Sequence, residues 1–361
     1  MKVFKKIFFG VFMLWLAAGA VESFAQAVYT PYPINIEGQS VYEPAPEVVP
    51  DGYKAVYVSH FGRHGSRYLL KKEESASYKV LSGSLQGELG QAIEHFHSLH
   101  IGKHGKLSGL GAQEQRSIGR RLAKRLPELF AFNAGVSAKS SFIDRCKASM
   151  QNFLEGLKSE SPMVNAKTSS SLFTYRMLSK GVKHGKYKPK SKAILALARY
   201  AADADCIGED KDLIYRYFGM KDKLEMWEEL EACFNNNLRP KSLADAHVAR
   251  KLLKDIVSKA DAALASGKKV ADFRFGHDSA FVPLGVLMGL SSFSEGCTIG
   301  DIVPMAANLQ LIFYRNDAGN IIVKILHNEK VTSIPDLKPT ETINSSHYYS
   351  WPELRSFLLN R

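Results

Sequence analysis

Two periods of hydrophobicity alternate along the chain. Short apolar runs at residues 56–61, 270–275 and 321–326 have the length of strands, and the first two end at a glycine. Between these runs, apolar side chains recur at helical spacing, as Ile118 and Leu122 do on one helix face. Strands separated by amphipathic helices are typical of an α/β fold, in which helices flank a sheet.

The pattern changes over residues 165–265, where strand-like runs give way to helical ones. A loop at residues 180–192 carries six lysines, and helical runs follow at residues 194–201, 224–234 and 243–264. We therefore predict a smaller, mainly helical insert domain at residues 165–265. The α/β domain would then comprise residues 28–164 and 266–361, and the insert could form a roof over one edge of the sheet.

The first 27 residues have the pattern of a secretory signal peptide. Three lysines precede an apolar core at residues 7–21, and Ala25-Gln26-Ala27 provides small residues for cleavage. This segment is too short to be a spanning helix, so we expect export to the periplasm or the exterior and no membrane span in the mature chain. The formal net charge of +12 favours an anionic partner.

The expected mature chain contains four cysteines, which an oxidising compartment could join as disulfides: Cys146, Cys206, Cys233 and Cys297. An even number permits two disulfides with three possible pairings. We favour a bridge between Cys206 and Cys233, because both lie in the predicted helical insert. The other two cysteines could equally be small buried side chains.

The run at residues 56–61 leads into Arg63-His64-Gly65-Ser66-Arg67. This places two permanent cations and an imidazole at the carboxyl end of a strand, which is where open α/β sheets bind ligands. Guanidinium groups match phosphate oxygens, and a neutral imidazole between them is a nucleophile. The alternative is an exposed basic turn in which His64 is an ordinary solvated side chain.

A second group of histidines lies at His95, His97, His100 and His104. Clustered histidines are common metal ligands. The surrounding pattern favours a solvated helix end and loop instead. We therefore predict no metal site there and no cofactor.

The motif Arg63-His64-Gly65-Ser66-Arg67 resembles the signature of the histidine acid phosphatases. This branch of the histidine phosphatase superfamily includes phytases and multiple inositol polyphosphate phosphatases. His277-Asp278, which follows the strand at residues 270–275, is similar to the second motif of the family. Arg145-Cys146 and the helix after it look like the inositol polyphosphate phosphatases, in which this arginine is a third phosphate ligand.

The chain departs from the family pattern at three places. Leu69 stands where the family commonly has proline, and Glu114 stands where it usually has glutamine, with Gln115 next. The inositol polyphosphate phosphatases usually read His-Ala-Glu where this chain has His277-Asp278-Ser279. The motifs therefore leave the subfamily open.

The resemblance implies a histidine phosphatase-like fold and a secreted phosphomonoesterase with a phosphohistidine intermediate. His64 would be the nucleophile and Asp278 the general acid, with an acidic optimum because aspartate has a low pKa. The phosphate would be bound by Arg63, Arg67, Arg145 and His277.

The substrate expected from the resemblance is phytate or another inositol polyphosphate. A broad-specificity acid phosphatase acting on sugar phosphates or nucleotides is the alternative. From another class, the chain could be a phosphate-ester binding protein without turnover. A nucleic-acid partner is not expected, because the basic residues are not interleaved with stacking aromatic residues. The oligomeric state stays open.

Overall fold

The computed structural model describes residues 42, 47–83, 86–131, 135–267 and 269–361. The predicted signal peptide at residues 1–27 lies outside the described residues. Within them, one mixed sheet contains nine strands. The strands are β1 Lys54–Arg63, β2 Gly135–Ser141, β3 Asn165–Ser171, β4 Lys269–Gly276, β5 Asn308–Arg315, β6 Ile321–His327, β7 Lys330–Val331, β8 Glu341–Ile343 and β9 Ser346–Ser350.

Fourteen α-helices occur in the same residues. They are α1 Lys71–Leu81, α2 Gly87–His100, α3 Gly109–Arg125, α4 Pro127–Phe130, α5 Asp144–Glu160, α6 Leu172–Leu178, α7 Lys192–Ile207, α8 Asp212–Tyr215, α9 Met220–Leu238, α10 Leu243–Ala246, α11 Arg250–Ser266, α12 Asp278–Met288, α13 Ile299–Ile302 and α14 Trp351–Leu359. None of these helices is both long and apolar enough to cross a bilayer.

The strand order is β3-β2-β4-β1-β5-β6-β9-β8, and β7 pairs with β6. Strands β1, β2, β3 and β4 all run parallel to one another, whereas β5 runs antiparallel to β1. Arg63 at the end of β1 is paired with Gly276 at the end of β4. The carboxyl ends of the parallel strands therefore meet at one edge of the sheet, which we call the carboxyl edge.

Helices cover both faces of the sheet because the central strands are apolar on both. On β1, Tyr57 and Phe61 face one core with α11, α12 and α14, whereas Val58 faces the other core with α3 and α5. The two cores follow from the alternation of side chains along a strand. The α/β fold predicted from the periodicity is confirmed.

A third core lies in what we call the helical layer, formed by α1, α2, α7, α8 and α9. Its buried side chains come from all five helices, for example Phe96, Tyr200 and Trp227. Met305, which precedes β5, also packs into this core. The helical layer is therefore joined to the sheet next to the carboxyl edge.

The division of the chain into a sheet domain and a helical insert at residues 165–265 stays a prediction. The first and last segments of this range, however, pack with the sheet: β3 pairs with β2, and α11 packs against β1 and β4. Strand β3 was not recognisable because its sequence, NAKTSSS, is polar and it is an exposed edge strand. The helical layer also includes α1 and α2, which come from before the predicted insert.

The preferred bridge between Cys206 and Cys233 is not formed, since all four cysteines are free thiols in the described structure. The two side chains lie in different surroundings. Cys206 is buried beside the Ser66 hydroxyl, whereas Cys233 on α9 accepts a hydrogen bond from Asn237 and contacts Arg199. Shared membership of a helical region therefore did not predict proximity of the sulfur atoms.

Candidate active site

The segment after β1 is fixed by backbone hydrogen bonds to distant parts of the chain. The Arg63 N–H donates to the Ala307 carbonyl at 2.7 Å, and the His64 N–H donates to the Gly276 carbonyl at 3.1 Å. The His64 carbonyl in turn accepts from the Ala306 N–H at 3.1 Å. The backbone at His64 is therefore held between the end of β4 and the segment that leads into β5.

Two glycines let this segment lie directly on the first turn of α3. A Cβ at Gly65 would come within 2.4 Å of the Gly111 carbonyl oxygen, and one at Gly111 within 2.1 Å of the Ser66 carbonyl oxygen. The N-cap residue Ser108 accepts from the Gly111 N–H and donates to the Ser66 carbonyl, both at 3.0 Å. The loop and the N-terminus of α3 thus form one rigid unit.

Glu114 and Gln115 stabilise the same loop from one turn further along α3. Glu114 accepts from the Ser66 N–H and from the Ser66 hydroxyl, both at 2.8 Å. The Gln115 amide donates to the Arg63 carbonyl at 3.0 Å. The sequence signal for these two residues was present, since Glu114 stands where the family usually has glutamine, but the supporting contacts were not predicted.

His64 is buried and presents one ring nitrogen without a proton. Its Nδ1 lies 2.9 Å from the Gly65 carbonyl oxygen, which can only accept, so Nδ1 carries the proton and Nε2 has a free lone pair. Burial, together with the charges of Arg145 and Arg63, holds the pKa of His64 well below its ordinary value of 6.5. The ring is therefore neutral and nucleophilic.

Three guanidinium groups surround His64, and each has a buried Nε–H without a hydrogen-bond partner among the described residues: Arg63, Arg67 and Arg145. The terminal nitrogens of Arg67 donate to the Tyr68 carbonyl at 3.0 Å and to Glu73 at 3.4 Å, so its Nε–H is the unpaired donor. Like charges this close repel each other, and unpaired buried donors are unfavourable. The arrangement therefore favours binding of a multivalent anion.

His277 is the N-cap residue of α12 and lies beside His64. Its ring centroid is 5.7 Å from that of His64. Nδ1 lies 3.4 Å from the Arg145 guanidinium, and Nε2 lies 3.1 Å from the Ser141 hydroxyl. Burial and the charge of Arg145 lower the pKa of His277 to about 4, so this ring is also neutral.

Asp278 is the first residue of α12 and lines the cavity that is described below. One carboxylate oxygen accepts from Arg63 at 2.8 Å and the other from the Ser279 N–H at 2.7 Å. Burial raises the pKa of Asp278, but the charges of Arg63 and Arg67 and the hydrogen bond from the Ser279 N–H outweigh burial and lower it below the ordinary value. Without a ligand, Asp278 is therefore a carboxylate.

A cavity separates the carboxyl edge from the helical layer. Arg63, Arg67 and Asp278 line one side of it. On the opposite side are Arg199 and Asp203 of α7, and an apolar wall formed by Leu230, Phe234 and Leu238 of α9. Arg199 and Asn237 also line a neighbouring groove that contains Lys72, Lys186 and Lys192.

The six site residues predicted from the sequence are thus brought together at the carboxyl edge. The four histidines of the second group each face a carboxylate instead: His97 and His104 face Glu74, His100 faces Asp203, and His95 faces Glu209. No group of three or more ligating side chains in the described residues is arranged to hold a metal ion. The expected solvated character is wrong for His100, which is fully buried.

No protein-family model matches the chain, and no curated protein sequence matches it either. Solved structures do match. The multiple inositol polyphosphate phosphatase of Bifidobacterium longum, in complex with inositol hexasulfate, has a TM-score of 0.73 at 18% identity, and the match covers 92% of this chain and 97% of that one.

Two phytases share the same architecture. The enzyme from D. castellii has a TM-score of 0.70 at 13% identity, and the match covers 94% of this chain and 85% of that one. The Hafnia alvei phytase in complex with myo-inositol hexakis sulphate has a TM-score of 0.60 at 13% identity, covering 86% of this chain and 98% of that one. The histidine phosphatase-like fold predicted from the sequence is confirmed.

Proposed function

We propose that this protein is a phosphomonoesterase that works through a phosphohistidine at His64. The observation that carries the proposal is the unprotonated Nε2 of a buried imidazole among three guanidinium groups with unpaired N–H donors. Such a site binds a phosphoryl group and presents a nucleophile to it. The likeness in fold to phosphatases supports the same reaction class.

In the proposed first step, Nε2 of His64 attacks phosphorus in line and the bond to the ester oxygen breaks. Arg63, Arg67 and Arg145 offset the charge on the non-bridging oxygens. Arg145 can only donate, so without a ligand Nδ1 of His277 accepts and the ring proton is on Nε2, facing the Ser141 hydroxyl. In the other tautomer, Ser141 would donate to Nε2 and Nδ1 would carry the proton. His277 would then donate to a phosphate oxygen once Arg145 turns to the ligand.

Asp278 would be the acid that protonates the departing oxygen, although it is ionised without ligand. A bound phosphate offsets the charge of Arg63, which otherwise lowers the pKa of Asp278, and places negative charge nearby. Substrate binding therefore raises the pKa of this carboxyl group, and an acidic medium favours the reactive form. In the second step Asp278 accepts a proton from the water that cleaves the phosphorus–nitrogen bond and releases phosphate.

We propose inositol polyphosphates as the substrate class and an exported location. The basic groove next to the cavity, with Lys72, Lys186 and Lys192, supports a polyanionic substrate. The sulfated inositols named with the B. longum and Hafnia alvei structures point the same way. The pattern of residues 1–27 supports export.

One observation favours the second candidate, a broad-specificity phosphatase. The cavity wall formed by Leu230, Phe234 and Leu238 is apolar and offers no hydrogen bonds to an inositol ring. Such a wall suits esters whose leaving group has an apolar face.

A phosphate-release assay at acidic pH tests these proposals, with phytate beside sugar phosphates and nucleotides. We expect phytate to have the highest kcat/KM. Similar values across the panel would favour the broad-specificity phosphatase. A protein that binds phosphate esters but releases no phosphate from any of them would contradict the proposed reaction.

A further inference from the structure

His100 in the helical layer lies between two hydrogen-bond acceptors. Its Nδ1 is 2.6 Å from the Phe96 carbonyl oxygen, and its Nε2 is 2.6 Å from a carboxylate oxygen of Asp203. The carbonyl can only accept, so Nδ1 carries a proton. The short contact between Nε2 and Asp203 requires a second proton, bound either to the ring or to the carboxyl group. The pair therefore holds one proton between its members.

Asp203 is also in contact with the phosphate-binding cavity. It lies on α7 and lines the same cavity as Arg67, Glu73 and Asp278. The negative charge of Asp203 acts on Arg67, as does that of Glu73. Arg67 thus lies between the anion site and two carboxyl groups, and the protonation of one of them is controlled by His100.

We propose that Asp203 and His100 are positioning residues that control whether Arg67 is free to bind phosphate. While the pair keeps its shared proton it is neutral overall, and Arg67 is free to bind an anion. When the proton is lost, the carboxylate of Asp203 is no longer compensated and attracts Arg67. Anion affinity should then fall towards alkaline pH. The inference rests on the proposed function in so far as Arg67 binds the phosphate.

The groups around the pair favour retention of the proton. Burial lowers the pKa of His100, but the hydrogen bond and charge of Asp203, the Phe96 carbonyl and Glu74 of α1 together raise it above 6.5. His100 also packs against Tyr68, His104 and Tyr200. Asp203 faces His100, Arg67 and Glu73, and burial raises the pKa of its carboxyl group.

The groups proposed to react, His64, His277 and Asp278, do not titrate in the pH range in which the pair of His100 and Asp203 would lose its proton. Without ligand, the pKa values of His64, His277 and Asp278 are all lowered, so their charges are constant from neutral to alkaline pH. A proton that Asp278 takes up with the bound anion would affect the wild type and Asp203→Asn alike. The part of a change in anion affinity over this range that Asp203→Asn removes therefore reports on groups outside the reacting set.

Calorimetric titration with inorganic sulfate, which remains a dianion throughout, tests the inference without turnover. For the wild type we expect sulfate affinity to fall by about tenfold or more between about pH 6 and pH 9. Asp203→Asn preserves the shape, and its amide can donate to Nε2 of His100 with no proton to lose. Its sulfate affinity should therefore vary by no more than about twofold over the same range.

His95→Gln is the matched control, because His95 and Glu209 also join α2 to the region after α7, at 3.4 Å, but are partly exposed. It should follow the wild-type profile. A flat wild-type profile, or a parallel fall in Asp203→Asn, would overturn the inference, and the wild-type profile decides alone should Asp203→Asn not fold. Absence of turnover with normal sulfate binding would overturn only the proposed reaction.

Discussion

The two sides of the cavity differ in how they are built. On the carboxyl edge, Arg63, His64 and Arg67 are neighbours in sequence, and so are His277 and Asp278. On the helical layer, Arg199, Asp203 and the apolar residues of α9 come from two separate helices. The first side consists of short contiguous motifs placed by strand ends, whereas the second depends on how helices pack. We therefore assign the proposed chemistry to the carboxyl edge and expect the opposite wall to influence substrate preference.

The largest expected effect on activity comes from replacing His64 at the carboxyl edge. His64→Ala should lower turnover by about 10⁴-fold or more, because His64 is the proposed nucleophile and no replacement for it is evident among the described residues of the carboxyl edge. A labelled substrate quenched in alkali, which preserves a phosphorus–nitrogen bond, should place the label on His64. His184→Ala, which alters a histidine bonded to the Arg239 carbonyl, is the control and should retain activity. Label on a serine or aspartate would show that the mechanism is wrong.

The next effect depends on the leaving group. Asp278→Asn cannot deliver a proton, so hydrolysis of an alkyl or inositol phosphate should slow by about 10²–10⁴-fold. A nitrophenyl phosphate, whose leaving group departs as an anion, should lose much less in the phosphorylation step. Pre-steady-state rates for both esters measure this difference, and a nitrophenol burst is expected. Equal losses for the two esters would assign Asp278 to orientation only.

A third change tests the rigidity of the edge. In Gly111→Ala the new Cβ would lie 2.1 Å from the Ser66 carbonyl oxygen, so the loop or α3 must move. We expect unfolding to become easier by about 1–3 kcal/mol, and activity to fall with it. The matched control is Gly109→Ala in the same helix turn, where no described atom lies within 4 Å of the new Cβ. Thermal unfolding and assay of both variants decide, and equal behaviour would contradict the close-packing argument.

A smaller effect is expected on the opposite wall. Arg199→Gln removes the cation between the cavity and the lysine groove. It should lower kcat/KM for phytate by about tenfold and change that for a sugar monophosphate by less than about twofold. Arg216→Gln, on the exposed side of the helical layer, should change neither. Equal losses for both substrates would place Arg199 at the reacting phosphate and weaken the comparison.

No effect is expected from chelators. The positive charge at the site comes from Arg63, Arg67 and Arg145, so dialysis against EDTA should leave the rate unchanged. Activity that is lost on dialysis and restored by a divalent metal would contradict this, and would direct attention to the histidines around Glu74.

The sequence predicted the carboxyl edge well because its signals are local. A strand that ends in Arg-His-Gly needs only the parallel pairing of β1 and β4 to bring His64 and Asp278 together. The roles of Glu114 and Asp203 could not be read from the sequence, since each depends on a contact between distant elements. Strand β3 lacks an apolar run because nearly all of its side chains are exposed to solvent and pack against no core. The positions of the Cys206 and Cys233 sulfur atoms depend on how their helices are rotated relative to each other. The hydrophobic periodicity of the sequence does not determine this rotation.

The backbone hydrogen bonds of His64 have a consequence for the order of folding. His64, the proposed nucleophile, comes early in the chain, yet its carbonyl and N–H are bonded to residues 306 and 276. Contacts of such high sequence separation form only after long loops have closed. During synthesis the reacting group therefore stays unassembled until most of the chain has left the ribosome. If the protein is exported, as proposed, and crosses the membrane before it folds, phosphate esters in the compartment of synthesis would not meet an assembled site.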